Sequence, residues 1–316
     1  MIDASLERNL ERQIEAFALM RSSLYARIAG RVLANYREGG VVRDFFAASP
    51  ARASASTPGV RLMGALHYLA LRGEAPELAA HFPSCGGDGD DEAIWKIVEE
   101  LLVSRRERIG ELYAETPQTN EVLRATVLSA GLRAFARNTS LPLRLFEIGA
   151  SAGLNTRIVG GDCVIAERGA CDLHPLDIED ERDRMRLLSF VWADDAERIE
   201  RLHQAIEIAR ASPLVVEQAD MFEWLPRRVS PKANTATVVM QSVVADHLTK
   251  EERARLAGII GRIGESAQAA SPFAWLRMEF DRPTRRYHTR LRSWPGGEDV
   301  LIASSTGHAR DIEWIN

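Results

Sequence analysis

The sequence is poor in cysteine and has no long apolar run. Its three cysteines, Cys85, Cys163 and Cys171, show no CxxC or Cys/His spacing, so we expect neither a disulfide framework nor a zinc site. No apolar stretch approaches the roughly 20 residues that cross a bilayer, and the N-terminus has a charged helical pattern instead of a signal sequence. These absences predict a cytoplasmic protein with no metal site and no membrane partner.

The chain also lacks an excess of positive charge. Its 40 lysines and arginines stand against 45 aspartates and glutamates, which gives a net charge of −5. Proteins whose main task is to hold nucleic acid carry a basic surface, so this balance argues against nucleic acid as the partner. The chain has 316 residues, 46% of them hydrophobic, which is enough for two globular domains.

Helical periodicity dominates the first part of the chain. Apolar residues recur at helical spacing near the N-terminus and again from Ile94 to Leu112. Between these stretches, the glycine- and aspartate-rich segment from His81 to Asp91 lacks the spacing of an EF-hand, so we interpret it as a solvated loop. We predict an all-helical N-terminal domain over residues 1–138 and a second domain over residues 139–316.

A strand that runs into a glycine-rich turn opens the second domain. Leu143 to Ile148 is largely apolar, and the residues that follow are Gly149, Ala150, Ser151, Ala152, Gly153, Leu154 and Asn155. Glycine allows a backbone to approach a ligand closely, and open parallel sheets bind ligands at the carboxyl ends of their strands. The turn therefore predicts the start of a small-molecule site.

The sequence of this turn can be compared with the motifs of three kinds of site. A GxGxxG dinucleotide fingerprint would require glycine at Ser151 and Leu154, so the sequence excludes it. The hydrolase elbow GxSxG matches letter for letter, with Ser151 as nucleophile, but the helical pattern upstream provides no earlier strand for an oxyanion hole. Glu147 with the small residues that alternate after it resembles the first motif of class I S-adenosylmethionine methyltransferases, although serine replaces the usual middle glycine.

The next strand favours the methyltransferase interpretation over the hydrolase. Val164 begins an apolar stretch that leads to Asp172, which lies 25 positions after Glu147. This separation is close to the roughly 20 residues expected between a nucleotide-binding turn and the acid that binds the ribose. A carboxylate there accepts hydrogen bonds from both ribose hydroxyls.

Three further strands complete the predicted sheet. The strand Pro213 to Gln218 is followed by Asp220 and Met221, which we assign to the adenine of the ligand. Ala236 to Ser242 contains Gln241, and the last predicted strand runs from Phe273 to Phe280. Strands that alternate with helices predict a doubly wound, mostly parallel sheet, as in the Rossmann-type α/β folds.

Four segments resemble the bacterial domain-of-unknown-function family 2332. They are Thr116 to Glu121 with Arg124, Glu147 to Asn155, Arg168 to Asp177, and Gly307-His308 before Glu313-Trp314. The resemblance covers most of the chain and implies a methyltransferase-like fold, but the family has no assigned reaction. This chain departs from the family pattern after Asn155, where the segment before the second strand is shorter than usual.

The segment from Gln118 to Arg124 has two interpretations. Asn120 or Thr119 can cap a helix from Glu121 to Arg137, because both side chains accept bonds from the free amides of a first turn. Capping requires neither Gln118 nor Arg124. We therefore also consider Gln118, Asn120 and Arg124 as residues that cover the cofactor.

Candidates for acceptor chemistry lie near the ends of the last strands. They are His247, Glu279 and His308, of which His308 would also serve the hydrolase alternative. A base is needed only if the methyl acceptor must lose a proton. The arginine-rich segment Arg282 to Arg292 forms either a solvated hairpin or a clamp for a carboxylate or phosphate of the acceptor.

The sequence thus predicts a helical N-terminal domain followed by a class I methyltransferase-like Rossmann domain, with S-adenosylmethionine as cofactor and a small molecule as acceptor. The predicted cofactor residues are Gln118, Asn120, Arg124, Glu147, Gly149, Ala150, Ser151, Gly153, Asn155, Asp172, Asp220, Met221 and Gln241. Two alternatives remain open: an esterase that uses Ser151, and a nucleoside-binding module without catalysis.

Overall fold

The computed structural model describes residues 3–49 and 57–315, which form two compact units. Residues up to Thr119 together with Glu179–His203 make the helical unit. Residues Asn120–Ile178 together with those from Gln204 onward make the sheet unit. Every helix in the described ranges is too short or too polar to cross a membrane.

Helices account for all regular structure of the described residues before residue 143. In chain order they are α1 (Ala4–Leu19), α2 (Ser23–Glu38), α3 (Val41–Ala48), α4 (Pro58–Leu71), α5 (Pro76–Ala79), α6 (Asp91–Ser104), α7 (Arg106–Ala114) and α8 (Arg124–Ala136), with a 3-10 turn at Pro83–Cys85. This agrees in part with the predicted helical domain, because α8 belongs to the sheet unit. The predicted helix start at Glu121 was wrong, since α8 begins at Arg124.

In the rest of the described chain, helices separate the first five strands, and the strands from the fifth to the eighth follow one another with no helix between them. The elements are β1 (Leu143–Ile148), α9 (Leu154–Ile158), β2 (Ile165–Asp172), α10 (Glu181–Ser189), α11 (Ala196–Arg210), β3 (Val216–Gln218), α12 (Met221–Arg228), β4 (Ala236–Ser242), α13 (Lys250–Glu265), β5 (Phe273–Asp281), β6 (Arg286–Trp294), β7 (Glu298–Ser305) and β8 (Glu313–Trp314). The strands predicted from apolar runs are present, and β6, β7 and β8 were not predicted.

The core of the helical unit surrounds α4, which is apolar on all sides and buried over most of its length. A segment distant in sequence completes this core. A Cβ atom added at Gly64 of α4 would lie 2.5 Å from Cε1 of Phe190, which follows α10. Glycine at this position therefore allows the ring of Phe190 to pack directly on the helix, and α10 joins the helical unit.

Within the described residues, one eight-stranded sheet has the order β3-β2-β1-β4-β5-β6-β7-β8. Strands β1 to β5 pair in parallel, and β5 to β8 pair as antiparallel neighbours. This confirms the prediction of a mixed α/β fold with a mostly parallel sheet. The segment Arg282 to Arg292 contains the turn between β5 and β6 and most of β6.

Both faces of the sheet are covered by apolar side chains, because successive residues of a strand point to opposite faces. On β1, Leu143 and Leu145 share a core with residues of α8, while Phe146 and Ile148 share a second core with α12 and α13. The order of the parallel strands reverses between β1 and β4, and such reversals open a crevice at the carboxyl ends of the strands.

Candidate functional site

The turn after β1 has an unusual backbone. Gly149, Ser151 and Gly153 have φ angles of 62°, 54° and 69°, so all three lie in the left-handed region. A Cβ atom at Gly149 would lie 2.7 Å from Cγ2 of Val244, and one at Gly153 would lie 2.8 Å from Cγ2 of Val216. Glycine is thus required here by the backbone conformation and by the packing of two valines of the sheet unit.

Side chains from three other segments hold this turn. The Ser151 amide donates to Oδ2 of Asp172 at 2.8 Å, and Leu154 donates to Oδ1 of Asn120 at 3.0 Å. Oε2 of Glu147 accepts from both the amide and the hydroxyl of Thr156. The sequence predicted that Asn120 could cap the helix after it; Asn120 instead binds the first residue of α9, which is distant in sequence but adjacent in the fold.

The carboxyl group of Glu147 is buried near the end of β1, just before the turn. Only 2% of the residue is exposed, and burial raises the pKa of its carboxyl group to about 8, while the bonds from Thr156 oppose that rise. The hydrogen bonds of its carboxyl group join β1 to α9. Its proposed contact with a cofactor stays a prediction.

Residues from each of the four segments that carry the family resemblance are hydrogen-bonded to one another within the sheet unit. Asp172 and Asn120 both bind the turn after β1, as described above. Nε of Arg124 donates to the carbonyl oxygen of Gly307 at 3.0 Å, and the Leu176 amide donates to the carbonyl oxygen of Ser151 at 3.3 Å. Segments up to 183 positions apart are therefore connected by direct hydrogen bonds around the carboxyl end of β1.

Two buried polar atoms at this place have no hydrogen-bond partner among the described residues. They are Oγ of Ser151, a residue with 6% exposure, and Oδ1 of Asn155, a residue with 1% exposure. Buried polar atoms in folded proteins are nearly always paired with protein, water or ligand. The turn after β1 thus offers a hydroxyl and an amide oxygen to a bound molecule.

Asp172 keeps capacity for such a molecule. Its second oxygen, Oδ1, accepts from the His174 amide at 2.9 Å, and the residue is half-buried at the end of β2. Each carboxylate oxygen has two lone pairs, so each can accept a further hydrogen bond. The carboxylate thus supports the turn and can also bind a ligand.

A second network lies at the ends of β4 and β5. Gln241 accepts from Nε1 of Trp275 at 3.0 Å and donates to Oε1 of Glu279 at 2.6 Å. The Glu279 carboxylate also accepts from the amides of Val244 and Ala245. Burial raises the pKa of Glu279 to about 7, against these hydrogen bonds. Gln241 and Glu279 therefore hold the turn after β4, and their assigned roles in binding and catalysis stay predictions.

An aspartate that follows β4 and a tyrosine of β6 form a hydrogen bond close to this network. The Tyr287 hydroxyl donates to Oδ2 of Asp246 at 3.4 Å, and burial raises the pKa of Tyr287 to about 12. A Cβ atom at Gly307 would lie 3.0 Å from Cε2 of the tyrosine ring. His247 is exposed beside Asp246, and His308 is half-buried beside Gly307. Tyr287 is not among the site residues predicted from the sequence, because only the pairing of β5 with β6 brings it to this edge.

The remaining predicted cofactor residues lie in different settings. Ala150 is buried and its amide donates to the Cys171 carbonyl oxygen at 3.1 Å. Asp220 is exposed and caps α12 by accepting from the Phe222 amide at 2.8 Å, and Met221 is half-buried at the start of that helix. Gln118 is a buried residue of the helical unit. The cofactor contacts assigned to these residues stay predictions.

Three arginines of the β6 strand bind acceptors or rings of the sheet unit itself. Arg286 donates to Oγ of Ser304 at 2.7 Å, and Arg290 pairs with Asp299. The guanidinium group of Arg292 lies 4.7 Å from the centre of the Trp294 ring. These arginines therefore stabilise the antiparallel part of the sheet.

The geometry at Ser151 lacks what a serine hydrolase requires. A nucleophilic serine is activated by a base within hydrogen-bond distance. Oγ of Ser151 has no such partner in the described chain, and its amide is already bound to Asp172. The described ranges also contain no group of three or more His, Cys, Asp or Glu side chains that could hold a metal ion.

Comparison with known proteins places the chain in a family. The family described as "Uncharacterized protein conserved in bacteria (DUF2332)" matches residues 7–160 and 159–314. A comparison with curated proteins found no match. The match covers both units, including the four segments that meet around the carboxyl end of β1. The chain therefore belongs to DUF2332, a family of uncharacterized bacterial proteins.

Proposed function

We propose that the sheet unit is a class I methyltransferase-like Rossmann domain that binds S-adenosylmethionine and transfers its methyl group to a small molecule. The parallel strand order β3-β2-β1-β4-β5, with its reversal between β1 and β4, supports this assignment. Ligands of open α/β sheets bind in the crevice at such a reversal. The turn after β1 and the end of β2 border this crevice.

The observation that carries the proposal is the turn bound to Asp172. The Ser151 amide of this turn donates to the Asp172 carboxylate and holds it at the end of β2, where a ribose would bind. Next to it, Oγ of Ser151 and Oδ1 of Asn155 are buried without partners in the described chain. One acceptor and one hydroxyl that can donate or accept suit the polar groups of a nucleoside or an amino acid. These residues fit S-adenosylmethionine.

The residues of the chain bind and orient the reactants. When bound, S-adenosylmethionine supplies an electrophilic methyl group. Asp172 would hold the ribose, and Asp220 and Met221 would contact the adenine. Arg124 holds the carbonyl oxygen of Gly307. This glycine lies against the ring of Tyr287, and His308 is the next residue in the chain. His247 or His308 would accept the proton if the acceptor must lose one.

Isothermal calorimetry with S-adenosylmethionine and S-adenosylhomocysteine tests this proposal. The variant Asp172→Asn should bind both compounds more weakly by about 1.5–3 kcal/mol, because a hydrogen bond to a charged group is lost. Asp162→Asn is the matched control, since Asp162 is exposed in the turn before the same strand. Equal affinity of a folded Asp172→Asn variant and the parent would refute the ribose contact.

Turnover distinguishes the transferase from a module that only binds a nucleoside. A panel of oxygen, nitrogen and carboxylate acceptors is incubated with methyl-labelled S-adenosylmethionine. Formation of S-adenosylhomocysteine in step with a labelled product supports transfer. Binding without any product across the panel favours the module, and absence of binding rejects both.

A further inference from the structure

A serine and a histidine of the helical unit form a hydrogen-bonded pair. Nε2 of His67, on α4, lies 2.7 Å from Oγ of Ser84. The other ring nitrogen, Nδ1, lies 3.2 Å from the carbonyl oxygen of Ser189 at the end of α10. His67 is fully buried, and its ring meets that of Phe82 edge-on at 5.5 Å between centres. The imidazole is therefore held on both nitrogens and by packing.

The carbonyl partner determines the direction of both hydrogen bonds. A carbonyl oxygen can only accept, so Nδ1 of His67 carries the proton and Nε2 carries the lone pair. The Ser84 hydroxyl consequently donates to Nε2. Burial lowers the pKa of His67 to about 4. At neutral pH the ring is therefore neutral, and Nε2 keeps the lone pair that accepts from Ser84. A serine, a neutral histidine and a group that orients the histidine are the parts of an activated nucleophile.

Ser84 is also accessible. It lies in the 3-10 turn Pro83–Cys85, and the residue is half-buried while both Cys85 and Gly86 beside it are exposed. The loop that contains it is the glycine- and aspartate-rich segment that the sequence analysis assigned to solvent. Ser151 is the opposite case, since its Oγ is buried and lacks a base. Of these two serines, the one outside the GxSxG motif has the base.

We propose that Ser84 is a nucleophilic serine that takes an acyl group from an activated ester, with His67 as its base. Oγ of Ser84 attacks the carbonyl carbon and forms a new ester bond, and its proton passes to Nε2 of His67. The bond to the leaving alcohol breaks, and the alkoxide receives the proton from His67. The products are acyl-Ser84 and the free alcohol. Because the buried imidazolium has no carboxylate partner in this pair, we expect slow, single acylation instead of rapid turnover.

A fluorophosphonate probe tests the nucleophile without knowledge of the natural ester. Oγ of Ser84 displaces fluoride from phosphorus by the same proton transfer to His67. We expect one label per chain, mapped to Ser84 by peptide mass spectrometry. Labelling should disappear in Ser84→Ala and persist in Ser151→Ala. It should also persist in Cys85→Ala, which excludes the exposed thiol 3.8 Å from Oγ of Ser84.

The role of the histidine has two independent tests. His67→Gln should slow labelling by about 100-fold, the usual scale of a lost general base. If that variant does not fold, the pH profile of the parent decides. A rate that stays level down to about pH 5 supports His67, because an ordinary histidine with a pKa near 6.5 would already lose activity there. Labelling of Ser151, no label at Ser84, or a folded His67→Gln variant that labels at the parent rate would overturn the proposal.

Discussion

Burial favours the neutral form of an ionisable group in both units, and the units differ in the type of group and therefore in the sign of the pKa shift. In the helical unit, His67 is kept neutral by burial, and both of its nitrogens have protein partners. In the sheet unit, burial raises the pKa of Glu147 and Glu279 at the ends of β1 and β5, and nearby Ser151 and Asn155 keep polar atoms without partners. His67 thus has protein partners on both ring nitrogens, whereas two buried polar atoms of the turn after β1 have none in the described chain.

The largest expected effect is a pair of opposite pH dependences. Glu147 has a folded pKa of about 8, above its unfolded value, so its contribution to stability is full below about pH 4.5 and is lost as the pH rises through 8. His67 has a folded pKa of about 4, below its unfolded value, so its contribution is present above about pH 6.5 and is lost as the pH falls toward 4. Each slope can reach about 1.4 kcal/mol per pH unit.

Urea unfolding is measured from pH 4 to pH 9, about the range over which these two groups titrate. It checks the direction in which each group changes the free energy of unfolding with pH. Glu147→Gln should remove the loss of stability on the alkaline side, because the amide resembles the protonated acid and can still accept from Thr156. His67→Gln should reduce the loss on the acidic side. If the two variants follow the parent curve at every pH, the contrast between the units is wrong.

The next effect concerns glycines with positive φ in the two units. Gly149→Ala should destabilise the protein by about 2–4 kcal/mol, because backbone strain of about 1–2 kcal/mol is joined by overpacking against Val244. Gly73→Ala is the matched control. Gly73 has a φ of 68° but no atom within 4 Å of an added Cβ, so only the strain remains. Chemical unfolding gives both values, and equal losses would contradict the packing argument.

The two serines give a smaller and sharper contrast. Ser84→Ala should lower the free energy of unfolding by about 1–3 kcal/mol, because it leaves Nε2 of buried His67 without a partner. Ser151→Ala should leave that free energy unchanged or raise it, because the hydroxyl it removes has no partner in the described chain. The same Ser151 variant should bind S-adenosylmethionine more weakly. A Ser151→Ala variant that is clearly destabilised would show that the hydroxyl is satisfied without a ligand.

The smallest effect is expected at Arg124. Helix capping does not require this residue, but its guanidinium donates to the Gly307 carbonyl oxygen. Arg124→Ala should therefore lower the ligand-free stability by about 0.5–1.5 kcal/mol, the net contribution of one hydrogen bond. It should also reduce the thermal shift produced by S-adenosylmethionine. Arg133→Ala, a change at another arginine of α8, is the control and should retain the full shift.

The central strands were predictable, and the antiparallel edge was not. Runs such as Ala236 to Ser242 are apolar because both faces of the parallel strands are covered, and this pattern is visible without a structure. In β6 the apolar positions are interrupted by arginines that bind Ser304, Asp299 and Trp294 within the sheet unit. Their charge left the segment open between a solvated hairpin and an anion clamp, and the structure forms an antiparallel hairpin from β5 and β6 here.

The capping prediction for Asn120, made from the local sequence, assigned this residue to the wrong helix. Asn120 has the residue type and position of a helix cap, but its carbonyl oxygen binds Leu154, which is 34 positions away. A capping preference describes which bond a side chain can make and does not identify the helix that receives it. Tyr287 illustrates the same limit, because it reaches Asp246 through strand pairing.

The sequence by itself determined that helices alternate with the first five strands of the sheet. It also determined the glycine-rich turn after β1 and the acidic residue, Asp172, at the end of β2. Periodicity and turn chemistry are local, so they can be read from neighbouring residues. The tertiary structure decided which groups meet: Arg124 with Gly307, Asp172 with Ser151, and His67 with Ser84. It also decided the protonation of His67 and Glu147, because burial depends on the packing of segments that are far apart in the chain.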